Sequence, residues 1–163
     1  MDLCYSFSGI STSWRLQMET RLRWAGGAAF IGLSSGGHTV VMDGPPEGGG
    51  RNLGPRPMEM FLLSMAACST YDVVTILRKA REEIADCDVR ITANRAPDYP
   101  KIFTDIHLHF IISGKDIKDK NVDRAIKLSA EKYCSASIML SAMAKITHDF
   151  EIVNVQPGET VQT

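Results

Sequence analysis

The 163-residue chain has no excess of either charge, no long apolar run and no closely spaced pair of cysteines. Its 18 basic and 19 acidic residues give a net charge of −1 and are well mixed along the chain. This balance excludes the basic surface by which proteins hold nucleic acids or anionic membranes. We therefore expect neither a nucleic acid nor a membrane as a partner.

No apolar stretch approaches the ~18 to 20 residues that cross a bilayer, and no basic segment followed by an apolar run opens the chain. We expect a cytoplasmic protein. Residues 1–17 carry Ser, Thr and Gly without periodicity, and patterned sequence starts at Met18. We interpret residues 1–17 as a loose N-terminal extension and residues 18–163 as a single domain.

The four cysteines, Cys4, Cys68, Cys87 and Cys134, form no CxxC motif. Their wide spacing is not that of a secreted disulfide framework, and it also argues against a zinc site. We predict no metal and no cofactor. In a reducing compartment, an isolated cysteine pair is more often redox-active than structural.

The first half of the chain predicts a β-meander followed by a long buried helix. Three short β-prone segments, residues 20–24, 28–32 and 38–42, are separated by glycine-rich turns. A Gly- and Pro-rich loop then leads to Pro57, which suits the first turn of a helix. This helix is predicted to reach about Ala85. Its first part is apolar on nearly every face, which is typical of a helix buried on all sides.

The second half predicts strands at residues 88–95 and 101–113, a helix from Asn121 to about Cys134, a third helix through Ala144 and a strand at residues 148–155. Residues of the second of these strands alternate, with Ile102, Thr104, Ile106, Leu108, Phe110 and Ile112 on one face and Asp105, His107 and His109 on the other. Ser135 or Ser137 is the expected cap of the third helix. The order of elements indicates an α+β fold with antiparallel sheet.

Cys68 and Cys134 are the candidate reactive residues, and each lies in an apolar, helix-forming run. If the fold brings the two thiols together, one can act as a nucleophile and the other can close a disulfide on it. If it does not, both are small core residues. Spacing along the chain leaves these two alternatives open.

The segment Pro57-x-Glu59-x-Phe61, followed by Cys68 and then by a lone Cys134 that opens a later helix, resembles the OsmC/Ohr family. This family comprises osmotically inducible protein C and the organic hydroperoxide resistance proteins. The likeness covers about Met18 to Val155 and is greatest to the OsmC-like branch. It implies antiparallel sheets wrapped around two central helices in an intertwined homodimer, which would bury the apolar helix on every side.

The resemblance also implies a peroxiredoxin-like activity, that of a thiol peroxidase acting on organic hydroperoxides. Cys68 would attack the peroxide and become a sulfenic acid, and Cys134 would then close a disulfide with it. A dithiol, in some members a lipoyl group, would reduce that disulfide. No metal or flavin takes part.

Two further residues are assigned to the site through the resemblance and its chemistry. In the hydroperoxide-resistance branch a glutamate directly follows the proline, whereas here that place is Met58 and the acid is Glu59. The arginine that activates the family's thiol comes from the N-terminal hairpins, yet Gly26-Gly-Ala-Ala29 contains none. Arg56 and Arg51 are the nearest cations in sequence. Since Arg56 precedes Cys68 by ~18 Å of helix, we expect it to act across the dimer.

Two other functions remain open on the same fold. One is a binding protein whose pocket holds an apolar or thiol-containing small molecule, and the other is a redox sensor that changes partner when the thiols join. His107 and His109 share a strand face, but no third metal ligand is marked by spacing. Cys87 lies between two acids, which raise the pKa of a thiol and disfavour a nucleophile.

Overall fold

The computed structural model describes residues 18–155. The predicted N-terminal extension, residues 1–17, lies outside the described residues. The chain divides into two compact units, Met1–Met60 and Phe61–Thr163. The elements are β1 (Arg21–Trp24), β2 (Phe30–Leu33), β3 (Thr39–Met42), α1 (Pro57–Lys79), β4 (Glu83–Arg95), β5 (Phe103–Lys115), α2 (Asp119–Leu128), α3 (Ser135–Ser141) and β6 (Lys145–Asn154). Two three-stranded sheets and three α-helices confirm the predicted α+β class.

The N-terminal unit contains the predicted meander of two hairpins. Strand β2 lies between β1 and β3 and pairs antiparallel with both, so that Phe30 faces Trp24 on one side and Met42 on the other. The following Gly- and Pro-rich loop is held by the buried carboxylate of Asp43. Asp43 accepts hydrogen bonds from the backbone N–H groups of Gly44, Arg51 and Leu53. A loop with so little side-chain packing is thereby fixed by backbone donors.

Helix α1 begins at Pro57, as predicted, but it ends at Lys79 and not near Ala85. The chain turns at Arg81, whose φ of 61° is left-handed. Strand β4 then starts at Glu83, five residues before the predicted start. A left-handed residue other than glycine has no sequence signature of its own. The amphipathic pattern past Lys79 therefore concealed the end of the helix.

The sheet of the C-terminal unit has the strand order β4–β5–β6. Strands β4 and β5 are antiparallel, but β5 and β6 are parallel, with Leu108 beside His148. The expectation of purely antiparallel sheets is thus wrong for this pair. A parallel pair requires a long crossover, and the segment that holds α2 and α3 supplies it.

The core of the C-terminal unit lies between this sheet and the helices. The alternation predicted for β5 is wrong at Ile102 and Thr104, which are exposed. From Ile106 onward it is confirmed, because Ile106, Leu108, Phe110 and Ile112 are fully buried. They are joined by Val73 and Leu77 of α1 and by Val122, Ala125 and Ile126 of α2. Burying a side chain such as that of Phe110 stabilises the fold by roughly 1.5–3 kcal/mol.

The expectation that no apolar stretch of the chain is long enough to cross a bilayer is wrong for helix α1. Its 23 residues include a window with a mean hydropathy of 1.6, so by length and composition it could cross a membrane, although core helices pass the same test. Only 28% of that window is buried within the chain. Phe61, Leu63 and Tyr71 are exposed by 50%, 51% and 73%. Much of the surface of this helix is therefore left without a cover in the described part of a single chain.

Candidate active site

The C-terminal unit brings Cys68 and Cys134 together, although they lie 66 residues apart in the sequence. The two sulfur atoms and a carboxylate oxygen of Asp72 all lie within 4.8 Å of one another. Besides burial, the proximity of the Cys134 thiol raises the pKa of Cys68. Of the two geometric alternatives left open by spacing, the structure has the one in which the thiols meet.

Helix α1 places Cys68 and Asp72 on the same face, since residues four apart lie one turn above each other. The carboxylate of Asp72 is held by a buried hydroxyl, because Ser129 Oγ lies 3.3 Å from Asp72 Oδ2. The same hydroxyl lies 3.1 Å from Ser69 Oγ, and both serines are buried. These polar groups satisfy one another within the core, which is the condition for burying them without a large cost.

Cys134 lies at the junction between α2 and α3. A short π-helical turn, Ser129–Tyr133, follows α2, and the backbone N–H of Cys134 donates to the carbonyl of Ser129 at 2.8 Å. Cys134 has extended backbone and is itself the N-terminal cap of α3. The expected cap, Ser135 or Ser137, is thus wrong. Ser137 instead donates to Cys134 Sγ, from its backbone N–H at 3.4 Å and from its hydroxyl at 3.1 Å.

The two thiols differ in access and in electrostatics. Cys134 is fully buried, whereas Cys68 is half-buried. Burial raises the pKa of the Cys68 thiol, the hydrogen bond with Cys134 adds to the rise, and the backbone N–H of Ala136 opposes it. The negative charge of Asp72 raises it further.

Arg56 and Glu59, the other two predicted site residues, lie in the N-terminal unit and bind each other. The backbone N–H of Arg56 donates to Glu59 Oε2 at 2.9 Å, and Arg56 Nη1 lies 3.4 Å from Glu59 Oε1. A glutamate that reaches back three residues in this way caps the start of a helix. This contact gives both residues a structural role at the start of α1. A role at the thiols stays a prediction.

Carboxylates lie beside Cys87 and beside both His107 and His109. Burial, with the charges of Asp86 and Asp88, raises the pKa of Cys87 to about 11. His109 Nδ1 lies 2.6 Å from Asp149 Oδ1, and His107 Nε2 lies 3.2 Å from the same atom. The histidines thus share a carboxylate on neighbouring β6, and the hydrogen bond from His109 lowers the pKa of Asp149.

A cavity of about 730 Å³ lies between α2, α3 and β6, and neither thiol lines it. It touches the site only through Ser137. The Nε2 atom of His148, another lining residue, is buried without a hydrogen-bond partner among the described residues. Burial lowers the pKa of His148 and favours its neutral form.

Sequence reasoning did not assign a role at the thiols to Asp72, Ser129 or Ser137. Asp72 had a signal, because it stands four residues after Cys68 in a helical segment. Ser129 and Ser137 had none, since their contacts with Asp72 and Cys134 depend on the π-helical turn and on the cap of α3. Neither feature has a characteristic residue pattern.

The chain was compared with known families and proteins. A family model of OsmC-like proteins matches residues 48–149. The chain is 46% identical over 136 residues to Protein YhfA of Escherichia coli, which covers 83% of this chain and 98% of that protein. The likeness thus spans most of this chain and nearly all of that protein.

Two solved structures are also similar. The crystal structure of a hypothetical protein from Aquifex aeolicus has a TM-score of 0.76 at 28% identity and covers 86% of this chain and 98% of its own. That of an organic hydroperoxide resistance protein from Legionella pneumophila has a TM-score of 0.63 at 17% identity and covers 85% and 97%. The second likeness, at so low an identity, concerns the fold alone.

Proposed function

The chain belongs to the family of OsmC-like proteins, and from this premise we propose that it is a thiol peroxidase that reduces organic hydroperoxides. The observation that carries the proposal is the meeting of Cys68 and Cys134, whose sulfur atoms lie within 4.8 Å of each other. A disulfide needs an S–S distance of about 2.05 Å, so the two side chains would rotate toward each other as the bond forms. The Legionella relative, described as an organic hydroperoxide resistance protein, lends support from the same fold.

In the proposed reaction, the Cys68 thiolate attacks the outer oxygen of the hydroperoxide and the O–O bond breaks. Cys68 becomes a sulfenic acid, and the alcohol leaves after its alkoxide takes a proton. The Cys134 thiol then attacks the sulfenic sulfur, and water leaves as the disulfide forms. A dithiol, such as a lipoyl group, returns both cysteines to thiols by disulfide exchange and is itself oxidised.

Accessibility supports this division of roles. The attacking thiol must reach a peroxide from solvent, and Cys68 is the half-buried one of the pair. Cys134 is fully buried, and the two donor groups of Ser137 already hold its sulfur. A resolving thiol needs only to reach its partner, so burial is no obstacle to that role.

Apolar surroundings favour an organic over an inorganic peroxide. Phe61, Leu63 and Tyr71 present exposed apolar surface on the helix that carries Cys68. Apolar walls with few polar groups are typical of sites that hold an apolar ligand. Alkyl or lipid hydroperoxides therefore suit this helix better than hydrogen peroxide does.

A homodimer is part of the proposal. Most of the apolar window of α1 is unburied in one chain, and α3 adds the exposed residues Ile138, Met139 and Met143. The strands of the N-terminal unit also expose apolar side chains, namely Leu22, Trp24, Ile31, Leu33, Val40 and Val41. Exposed apolar side chains in such number mark an interface. We place the dimer in the cytoplasm, with no nucleic acid and no membrane as partner.

Activation of Cys68 requires a cation, because burial and Asp72 raise the pKa of its thiol. In the proposed dimer, Arg56 of a second copy supplies this charge, and Glu59 orients that arginine. The observed contact between Arg56 and Glu59 supports such a pair. The Arg56→Lys variant would keep the charge but lose the fork-like geometry of the guanidinium.

The experiment is a thiol titration with intact-mass measurement of the reduced protein, before and after one equivalent of cumene hydroperoxide, followed by peptide mapping. We expect rapid loss of two thiols and a Cys68–Cys134 disulfide. Hydrogen peroxide should react more slowly. Thiols that stay intact at equimolar peroxide would rule out the peroxidase.

The second candidate is a binding or redox-sensing protein with weak or no catalysis. It is favoured by the raised pKa of Cys68, since a thiol that is mostly protonated is a poor nucleophile. A binding protein should carry a small molecule through purification, which native mass spectrometry would detect. A sensor should form the disulfide once but fail to turn over with any supplied dithiol.

A further inference from the structure

We propose that the reduced site binds a Zn²⁺ ion through Cys68 Sγ, Cys134 Sγ and a carboxylate oxygen of Asp72. These three atoms lie within 4.8 Å of one another, and each belongs to a residue type that zinc prefers. The proposal does not depend on the peroxidase activity, because metal binding and peroxide reduction are separate properties of the same thiols. It reverses the sequence expectation that no metal is bound.

The spacing of the three atoms is close to that of a zinc site. Zinc–sulfur bonds of about 2.3 Å and zinc–oxygen bonds of about 2.0–2.2 Å, at tetrahedral angles, place ligand atoms roughly 3.5–3.8 Å apart. The observed spacing, within 4.8 Å, exceeds this by about 1.3 Å at most. Side-chain rotation can close such a gap, because Cys68 and Asp72 are only half-buried.

Charge supports the same conclusion. Two thiolates and a carboxylate would place three negative charges within one small volume. A divalent cation at their centre offsets this repulsion and favours loss of the thiol protons. The grouping of Asp72 with two thiols, unfavourable for a thiolate alone, is favourable around a metal ion.

The surrounding groups could orient the ligands. Ser129 Oγ lies 3.3 Å from Asp72 Oδ2, and the two donors of Ser137 point at Cys134 Sγ. The backbone N–H of Ala136 is hydrogen-bonded to Cys68. Hydrogen bonds of this kind fix ligand geometry in metal sites.

Three protein ligands leave the fourth tetrahedral position for water, as in zinc sites that exchange or react. The half-exposed side of the cluster, formed by Cys68 and Asp72, provides the path for the ion. A Cys68–Cys134 disulfide removes two of the three ligands. Zinc binding and disulfide formation therefore exclude each other, and oxidation releases the ion.

The test uses the full chain with Cys4 and Cys87 replaced by serine, so that the only remaining thiols are Cys68 and Cys134. The reduced, chelator-stripped protein is titrated with Zn²⁺ in competition with a chromophoric chelator. We expect one zinc per chain. Co²⁺ in place of Zn²⁺ should give the visible absorption of tetrahedral cobalt with thiolate ligands.

Two treatments test the ligand set without relying on loss of a buried cysteine. Asp72→Asn should weaken zinc binding by at least about tenfold, whereas the matched Asp88→Asn variant should leave it unchanged. Oxidation of the same protein with diamide should abolish binding, and reduction should restore it. Circular dichroism of each sample shows that the fold is kept.

Failure to bind one zinc per chain would overturn the proposal. So would binding that either Asp72→Asn or oxidation leaves unchanged, because the ligands would then lie elsewhere. Peroxide consumption, measured separately in metal-free buffer, reports on the peroxidase alone. The two proposals can therefore fail independently.

Discussion

Cys68 and Cys87 are two half-buried thiols of the same unit, and burial is the main cause that raises the pKa of each. They differ in their neighbours. Cys87 lies between Asp86 and Asp88, whose charges help to raise its pKa to about 11. Cys68 meets a second thiol and a backbone donor. A buried thiol thus becomes a candidate for chemistry through the groups that face it.

The difference also shows in how each environment is built. The acids beside Cys87 are its immediate neighbours in sequence, whereas the partner of Cys68 comes from the distant start of α3. Ser129 and Ser137 add hydroxyl groups around Asp72 and Cys134. The fold has assembled one thiol site from three separate segments, while the other is a local feature of one strand.

The strongest test of this comparison is to remove each thiol in turn. Cys68→Ser should reduce peroxide consumption to the uncatalysed rate, because a hydroxyl at this position is a far weaker nucleophile. Cys87→Ser should keep the full rate. Consumption of cumene hydroperoxide with excess dithiol measures both. Equal losses in the two variants would erase the distinction between the two thiols.

Removal of the partner thiol is expected to have the next largest effect. Cys134→Ser should still react once with peroxide, but the sulfenic acid on Cys68 should persist because no thiol is left nearby to displace water. Trapping with dimedone and mass spectrometry would locate the adduct. A Cys134→Ser protein that turns over with unchanged kinetics would show that Cys134 is not the resolving thiol.

A smaller effect is expected on stability when the support of Asp72 is removed. Ser129→Ala deletes a buried hydroxyl that lies near both Ser69 and Asp72, and should lower the free energy of unfolding by roughly 1–3 kcal/mol. Ser135→Ala, at an exposed position of α3, should change it by less than about 0.5 kcal/mol. Urea unfolding under reducing conditions gives both values. If the two variants are equally stable, the hydroxyl is not part of the core network.

The smallest effect concerns the pH dependence of thiol reactivity. The negative charge of Asp72 raises the pKa of Cys68, so Asp72→Asn should lower that pKa and increase the thiolate fraction at a given alkaline pH. Asp88→Asn should act in the same direction on Cys87 alone. Alkylation rates as a function of pH, resolved by peptide mapping, distinguish the two. A shift of the Cys68 profile in Asp88→Asn would contradict this local assignment.

The sequence predicted what short-range patterns determine. The meander around Phe30, the start of α1 at Pro57 and the buried face of β5 follow from turn glycines, a helix-starting proline and alternation. The family also followed from the residues around Cys68. The class of fold was therefore accessible without coordinates.

The rest depended on features without a local signature. The helix ends six residues early because the chain turns at a left-handed Arg81. Strand β6 pairs parallel with β5 because the intervening crossover, and not the strand pattern, sets its direction. The cluster of Asp72 with the thiols depends on how α1 packs against the junction before α3. Long-range packing decided each of these points.

The long separation of Cys68 and Cys134 in the sequence has a consequence for the unfolded chain. A disulfide between them would close a loop of this length. In the chain-entropy treatment, this closure reduces the conformational entropy of the unfolded state and so stabilises the folded state by about 4 kcal/mol. The oxidised protein should accordingly resist heat and proteases better than the reduced one. The stability of the fold would then depend on the redox state of the site, and each reduction would make the molecule easier to unfold and degrade.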